Sequence, residues 1–311
     1  MNAPSRICPN CGVSDEISDD EPVWPAGWSC ADCAHTIEMR DGIPIFAPAL
    51  ADTISGVNPA VFEPLAQREN NNFWFVPRNR LIAGLLGRYF PTAECIMEVG
   101  CGSGFVLSAT AHIKPWRRLV ASELHPSGLA IARARLGRRA EFVQMDARSI
   151  PAREVFDVIG AFDVLEHIED DAAVLAAMYR ALRAEGGILL TVPQHPWLWS
   201  SADECALHVR RYRRGELEQK VRAAGFSVLF SGSYTALLLP LMAVSRWAGS
   251  GGKSDSIGRE FELPTIANAL LRAILQLEVT LTLAGLRFPA GGSRVIVAVK
   301  SETQMRTGRG D

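Results

Sequence analysis

The stretch Ile96-Met97-Glu98-Val99-Gly100-Cys101-Gly102-Ser103-Gly104 decides the fold. Apolar residues lead straight into three glycines at spacing two. A buried parallel strand hands over to a helix in this way around a nucleotide-like ligand. Glycine lets the backbone turn tightly and approach the ligand without a Cβ clash. The helix that follows offers its unpaired N–H groups.

Spacing narrows the ligand. A dinucleotide fingerprint reads G-x-G-x-x-G. Here the pattern is E-x-G-x-G-x-G, with Glu98 two residues before Gly100. This resembles motif I of class I S-adenosylmethionine-dependent methyltransferases. The resemblance implies that Glu98, Gly100, Gly102 and Gly104 form the cofactor loop. A ligand that carries an amino acid and a sulfonium makes a carboxylate in that loop useful.

The downstream rhythm is βα. Residues 119–123 read as a strand ending in Glu123, about 20 residues on, where a carboxylate can accept ribose hydroxyls. Residues 141–145 lead to Asp146 and Ala147. In the methyltransferase pattern that acid faces the adenine amino group and the next N–H faces a ring nitrogen. Residues 156–162 form a fourth buried strand, followed by Asp163 and Val164-Leu165-Glu166-His167. Residues 187–192 form a fifth, 226–230 a sixth and 294–299 a seventh. Helices are expected at 104–113, 126–137, 170–184, 215–224 and 264–286. The fold class is therefore α/β: a Rossmann-like seven-stranded methyltransferase sheet with helices on both faces. Ligand binding at the carboxyl edge follows from such a sheet.

The chain has 311 residues, 48% hydrophobic and 21% charged, with net charge −2. That is enough for one sizeable domain and a small one. There is no global basic field to hold nucleic acid. The first residues lack the apolar core of a signal peptide. No uninterrupted apolar run reaches the ~18 residues of a membrane span. The expected compartment is the cytoplasm, with peripheral contact at the inner membrane as an extension.

Four of the seven cysteines form Cys8-x2-Cys11 and Cys30-x2-Cys33. This spacing suits a structural Zn²⁺ site with four thiolates. A pair of disulfides or a redox dithiol is the alternative, and disulfides are poor candidates without a secretory signal. A zinc ribbon is expected over residues 1–48, with Trp24 to Trp28 as a hairpin-like segment. Its apolar content is too small to fold alone, so the metal carries much of its stability. Cys101 reads as a small loop residue, without an evident base beside it. A ribbon ending in Gly42-Ile43-Pro44-Ile45-Phe46 is similar to the small zinc domains ahead of some bacterial methyltransferases.

Residues 49–93 read as a linker, with Pro48, Gly56 and Pro59, and helical pieces that carry Phe73-Trp74-Phe75 and Arg78. The aromatics are either a plug over the sheet edge or a lid over the ligand. The methyltransferase domain is expected over 94–300, with insertions at 193–214 and 234–290. The second insertion holds an apolar stretch with Pro240 and a flexible glycine-rich loop at 249–255. Residues 301–311 read as a disordered tail.

The first insertion holds Pro193-Gln194-His195-Pro196-Trp197-Leu198-Trp199-Ser200, then Asp203, Glu204 and His208, then Arg210-Arg211-Tyr212-Arg213-Arg214. Together with the aromatic cluster and the Leu-Glu-His segment, it resembles bacterial small-molecule methyltransferases of the ubiquinone O-methyltransferase type. Such an insertion sits over the site and shapes substrate choice. A hydroxyl acceptor benefits from a general base, commonly His. His208 and His195 are the candidates, ahead of His167. Arg211 and Tyr212 are candidates to bind an anionic acceptor. Trp199 and Trp74 are candidates to contact it.

The expected function is O-methylation of a small-molecule, lipid-linked or glycan acceptor with S-adenosylmethionine. The apolar stretches at 234–247 and 264–286 motivate the lipid option, and they serve equally as core or as a homodimer interface. The alternatives are an RNA base methyltransferase and a non-catalytic scaffold that docks a protein through the ribbon. Neutral charge argues against the first. The acids after strands one to four argue against the second.

Overall fold

The computed structural model describes residues 3–51, 53, 57–247 and 263–301. Gly56, the loop expected at 249–255 and the tail after residue 301 lie outside the described residues. Twelve described strands run in chain order as β1 (Ser5–Ile7), β2 (Ser14–Glu16), β3 (Glu38–Arg40), β4 (Ile43–Ile45), β5 (Cys95–Val99), β6 (Arg118–Glu123), β7 (Glu141–Gln144), β8 (Ala152–Arg153), β9 (Phe156–Phe162), β10 (Leu182–Pro193), β11 (Phe226–Tyr234) and β12 (Ser293–Lys300).

Nine of these strands form one sheet in the order β11-β12-β10-β9-β5-β6-β7-β4-β3. The seven expected strands are all present in it. β7, β6, β5, β9 and β10 are mutually parallel, and β12 inserts antiparallel between β10 and β11. The chain leaves β5 toward β6 and β7, then returns to place β9 on the other side of β5. This reversal opens a crevice at the carboxyl ends of β5 and β9, where such sheets bind ligands. Both faces of the central strands are covered, which is why β5 and β6 are buried at every residue and read as continuous apolar runs.

Helices Phe105–Thr110, Pro126–Leu136, Asp171–Ala181 and Glu216–Ala223 connect the strands close to where periodicity places them. The third expected helix, 170–184, ends early, at Ala181. β10 begins at Leu182, and its pairing with β9 shifts register between Leu182 and Gly187. At Gly187 a Cβ would meet the Ala298 carbonyl oxygen at 2.4 Å.

The N-terminal segment is not a detached module. β1 pairs with β2 on one side and with β8 of the main domain on the other. β4 pairs parallel with β7 through Ile45 and Gln144, so the β3–β4 hairpin extends the large sheet. Trp24 belongs to no strand, contrary to the hairpin expectation. It is buried in the main core, edge-on to Phe46 at 5.5 Å, and its indole N–H donates to the Pro151 carbonyl at 3.1 Å. The Val23 N–H donates to Glu141 at 2.8 Å. An edge strand of the catalytic sheet is thereby covered, which removes an exposed row of backbone groups. Sequence could not reveal this, because pairing between segments ~100 residues apart leaves no local pattern.

Candidate functional site

A cavity of about 330 Å³ lies at the carboxyl ends of β5, β6, β7 and β9. Glu98, Gly100, Gly102, Glu123, Asp146, Ala147 and Asp163 all line it. Gly104 does not. It starts helix Phe105–Thr110 in the left-handed region at φ 72°, and a Cβ there would sit 2.9 Å from Ala132. Its role is helix–helix packing rather than ligand contact. Gly100 also has positive φ, and a Cβ would meet Val164 at 2.5 Å.

The acids differ in how they are held. Glu98 is 3% exposed, and its Oε2 has no hydrogen-bond partner. Burial raises its pKa well above the usual carboxylate range, against the pull of Arg78. Such an orphaned acceptor in a cavity wall is costly unless a ligand satisfies it. Glu123 accepts from the Gly102 N–H at 3.0 Å and from the Leu124 N–H at 2.8 Å. It ties the glycine loop to the end of β6. Asp146 is clasped by Arg148, with Nε and Nη2 donating at 2.9 Å and 2.7 Å. Residues 62, 65, 75 and 78 of the N-terminal helices close the outer wall, so the aromatic segment acts as a cover.

A second cavity of about 550 Å³ adjoins the first. The two share Leu65, Phe75, Arg78, Phe162, Asp163 and Ala206. Arg78 sits at this junction. It donates to Asp163 and lies over the Trp74 ring at 4.6 Å. The second cavity is also lined by Trp74, Glu166, Asp203, His208 and Arg211. His208 Nδ1 lies 2.8 Å from Asp203 Oδ1, and Arg211 Nε donates to the same oxygen at 2.7 Å. Burial works to raise the Asp203 pKa, but the hydrogen bonds from His208 and Arg211 outweigh it and hold it at about 2. Beyond the ring, His208 Nε2 lies 3.9 Å from Glu166 Oε1. Glu166 is fully buried without a hydrogen-bond partner on either oxygen, and burial raises its pKa well above normal. The His167 ring packs edge-on to His208 at 4.7 Å. Glu166, His167 and His208 offer ligand atoms within 4.8 Å of one another, a spacing that a cation can bridge.

The Asp203 ion pair has a stability consequence. Its pKa is depressed, so its contribution is present above the unfolded value of ~3.9 and is lost as pH falls through about 2. The shift corresponds to about 2 kcal/mol. Urea unfolding at pH 6 and pH 3 is expected to show about half of this loss in the wild type. An Asp203→Asn variant with the same pH slope would contradict it.

Three sequence candidates lie elsewhere. His195 lines neither cavity; its ring lies 5.6 Å from Trp197. Burial and then Arg294, Arg211 and Arg214 lower its pKa. Tyr212 is wholly buried, and its hydroxyl donates to Asp171 at 2.7 Å. Trp199 lines a separate open groove with Arg213 and Arg214. Period-two reasoning cannot assign facing in an irregular insertion, which is why sequence alone did not separate these three from His208 and Arg211. Glu166, Asp203 and Arg78 are the residues that sequence reasoning left out of the site. Their signals were the Leu-Glu-His segment, the acid five residues before His208 and the arginine after the aromatic cluster.

The four sulfurs of Cys8, Cys11, Cys30 and Cys33 lie within 4.8 Å of one another. Cys8–Cys33 and Cys11–Cys30 are 3.6 Å and 3.5 Å apart. A tetrahedron with Zn–S bonds of ~2.3 Å has edges of ~3.8 Å, whereas a disulfide needs ~2.05 Å. The two knuckles repeat one another. The Cys8 and Cys30 N–H groups donate to Val13 and His35, and the Gly12 and Ala34 N–H groups donate back to Cys8 and Cys30.

Residues 97–190 match the family model of the methyltransferase domain. Over that stretch the chain is similar to methyltransferase domains. It is 27% identical over 180 residues to a probable S-adenosylmethionine-dependent methyltransferase of Mycobacterium tuberculosis, covering 55% of this chain and 64% of the relative. It is 30% identical over 122 residues to a ubiquinone biosynthesis O-methyltransferase of Pseudomonas paraeruginosa, covering 37% and 48%. The chain thus spans under two thirds of the length of these relatives. The fold is similar to that of phosphoethanolamine N-methyltransferase 2 of Haemonchus contortus, with TM-score 0.52, 19% identity, and coverage of 79% of this chain and 58% of that one. The methyltransferase domain places its matched residues around the first cavity and the start of the second.

Proposed function

We propose that the protein transfers a methyl group from S-adenosylmethionine to a hydroxyl of a small-molecule, lipid-linked or glycan acceptor. The observation that supports this is the pair of adjoining cavities. One is walled by the glycine loop with the unsatisfied Glu98, the other by His208 and Asp203, and Arg78, Phe162 and Asp163 form the shared wall. The cofactor fits this chemistry. Glu98 supplies an acceptor for an ammonium, Glu123 a carboxylate at the ribose position, and the Asp146–Ala147 turn a base edge. When bound, it supplies an electrophilic sulfonium methyl.

The residues then have separate tasks. Asp203 fixes the His208 ring by accepting from Nδ1–H, which leaves Nε2 free to take the acceptor proton. Arg211 keeps Asp203 ionised. The apolar walls exclude water from an in-line displacement. Arg78, charged and buried at the junction, stabilises developing oxyanion character on the acceptor. Cys8, Cys11, Cys30 and Cys33 hold a structural Zn²⁺ in the same proposal.

Calorimetry with S-adenosylmethionine tests the cofactor half. Glu123→Ala is expected to weaken binding by about 1–3 kcal/mol, the effect of removing a charge-assisted acceptor. Unaltered affinity would place the cofactor elsewhere. Transfer of a labelled methyl from S-adenosylmethionine into cell extract tests the acceptor half. Label on nitrogen or on RNA instead of on an oxygen of a small molecule would refute it.

A further inference from the structure

Helix Thr265–Leu283 is long and apolar enough to cross a bilayer by length and composition, yet only 22% of that stretch is buried. It is fixed to the domain along one edge. Leu275, Glu278, Val279 and Thr282 face inward, and Glu278 accepts from the Leu237 N–H at 2.8 Å. The outward stripe is apolar. Ile266, Leu270 and Leu277 are 85%, 61% and 56% exposed. At ~100° per residue, these three lie within ~40° of one another. Ala269 and Ala273 complete the stripe without a charge. A water-facing helix normally carries its charges there.

Both helices border the acceptor cavity, one through Leu271 and the other through Leu241 and Met242. Leu241 of helix Leu239–Trp247 lines that cavity and is itself 57% exposed, beside Val244 at 59%. Arg246 of the same helix donates to the Leu198 carbonyl at 3.2 Å, which joins it to the turn carrying Trp197, 56% exposed. Next comes the groove of Trp199, Arg213 and Arg214. Both arginines are exposed, and no carboxylate of the described residues pairs with either side chain.

We propose that this face docks on an anionic phospholipid surface. The two helices lie in the interface plane, and the acceptor cavity opens toward the acyl chains. Three features select this occupant over a second copy of the chain. Apolar stripes flank indoles, and indoles are the side chains favoured at the water–lipid boundary. Arg213 and Arg214 outnumber Glu216, the acid that shares their groove, and anionic headgroups would supply the remaining counter-charge. A two-fold dimer brings one self-complementary patch against itself, and this patch carries more arginine than acid, with Arg213 and Arg214 against Glu216. The docking face is argued from the surface, and only the naming of the second cavity as the acceptor's rests on the proposed function.

Co-sedimentation of the full chain with vesicles is the test. Vesicles of phosphatidylcholine with phosphatidylglycerol are expected to bind it, and binding should weaken as salt rises. Arg213→Ala and Arg214→Ala should each reduce binding to these vesicles about fivefold. Leu270→Glu with Leu277→Glu should reduce it by at least about tenfold, since both side chains would leave the apolar layer. Neither leucine lines a cavity, so calorimetric affinity for S-adenosylmethionine serves as the folding control and should not change. Absence of binding by the wild type overturns the proposal, as does binding that the leucine pair leaves unaltered. A dimer dispersed by the leucine pair, without vesicle binding, assigns the face to a second copy and also overturns it.

Discussion

His208→Ala is expected to lower turnover about 10²–10⁴-fold, the range lost with a positioned general base. Affinity for S-adenosylmethionine should be unchanged, because His208 lines only the acceptor cavity. Asp203→Asn should fall in the same direction. It removes the charge that orients the ring through the 2.8 Å contact to Nδ1 and steadies the imidazolium formed on proton transfer. His195→Ala should be close to wild type, since that ring lines neither cavity. The pH profile separates base from scaffold. A pH limb of turnover present in the wild type and absent from the alanine variant assigns the base to His208. Wild-type rates in both His208→Ala and Asp203→Asn would reduce the mechanism to alignment alone.

Loss of the four-cysteine centre should have the second large effect. Purified protein is expected to carry one zinc per chain, and metal analysis reads this directly. Structural zinc contributes about 10–16 kcal/mol of apparent binding free energy in small domains. Cys8→Ser, or exhaustive chelation, should therefore unfold the knuckles and lower the melting temperature. The effect should also reach the cofactor cavity. Gln144 donates to both the Ala47 and Leu124 carbonyls at 2.9 Å, and its own carbonyl accepts from the Ala47 N–H. Leu124 lines the cofactor cavity. A ribbon standing apart would leave cofactor affinity intact, whereas one paired to β7 should weaken it when it melts. Zinc-free protein with unaltered melting would refute the centre itself.

The catalytic sheet was legible because its signals are local. Continuous apolar runs such as 156–162 can be satisfied only by burial on both faces, and the glycines at 100, 102 and 104 occupy backbone conformations that other residues resist. The strands located the acids Glu98, Glu123, Asp146 and Asp163, and the resemblance to the methyltransferase pattern supplied their expected cofactor roles. The paired cysteines were equally local, since two knuckles need only short, defined loops.

Facing and partnership were decided by the tertiary structure. His208 and His195 are equivalent in sequence, but only His208 meets Asp203 and the buried Glu166. Arg211 and Tyr212 are neighbours in the chain, yet one clasps Asp203 while the other turns into the core against Asp171. The N-terminal segment joins the large sheet through β4 and β7, a pairing chosen by complementary edges far apart in the chain. Residue type and spacing determined which elements form and where a cofactor can sit. Long-range packing determined which side chains share a cavity, because that depends on the direction of each side chain after the elements have docked.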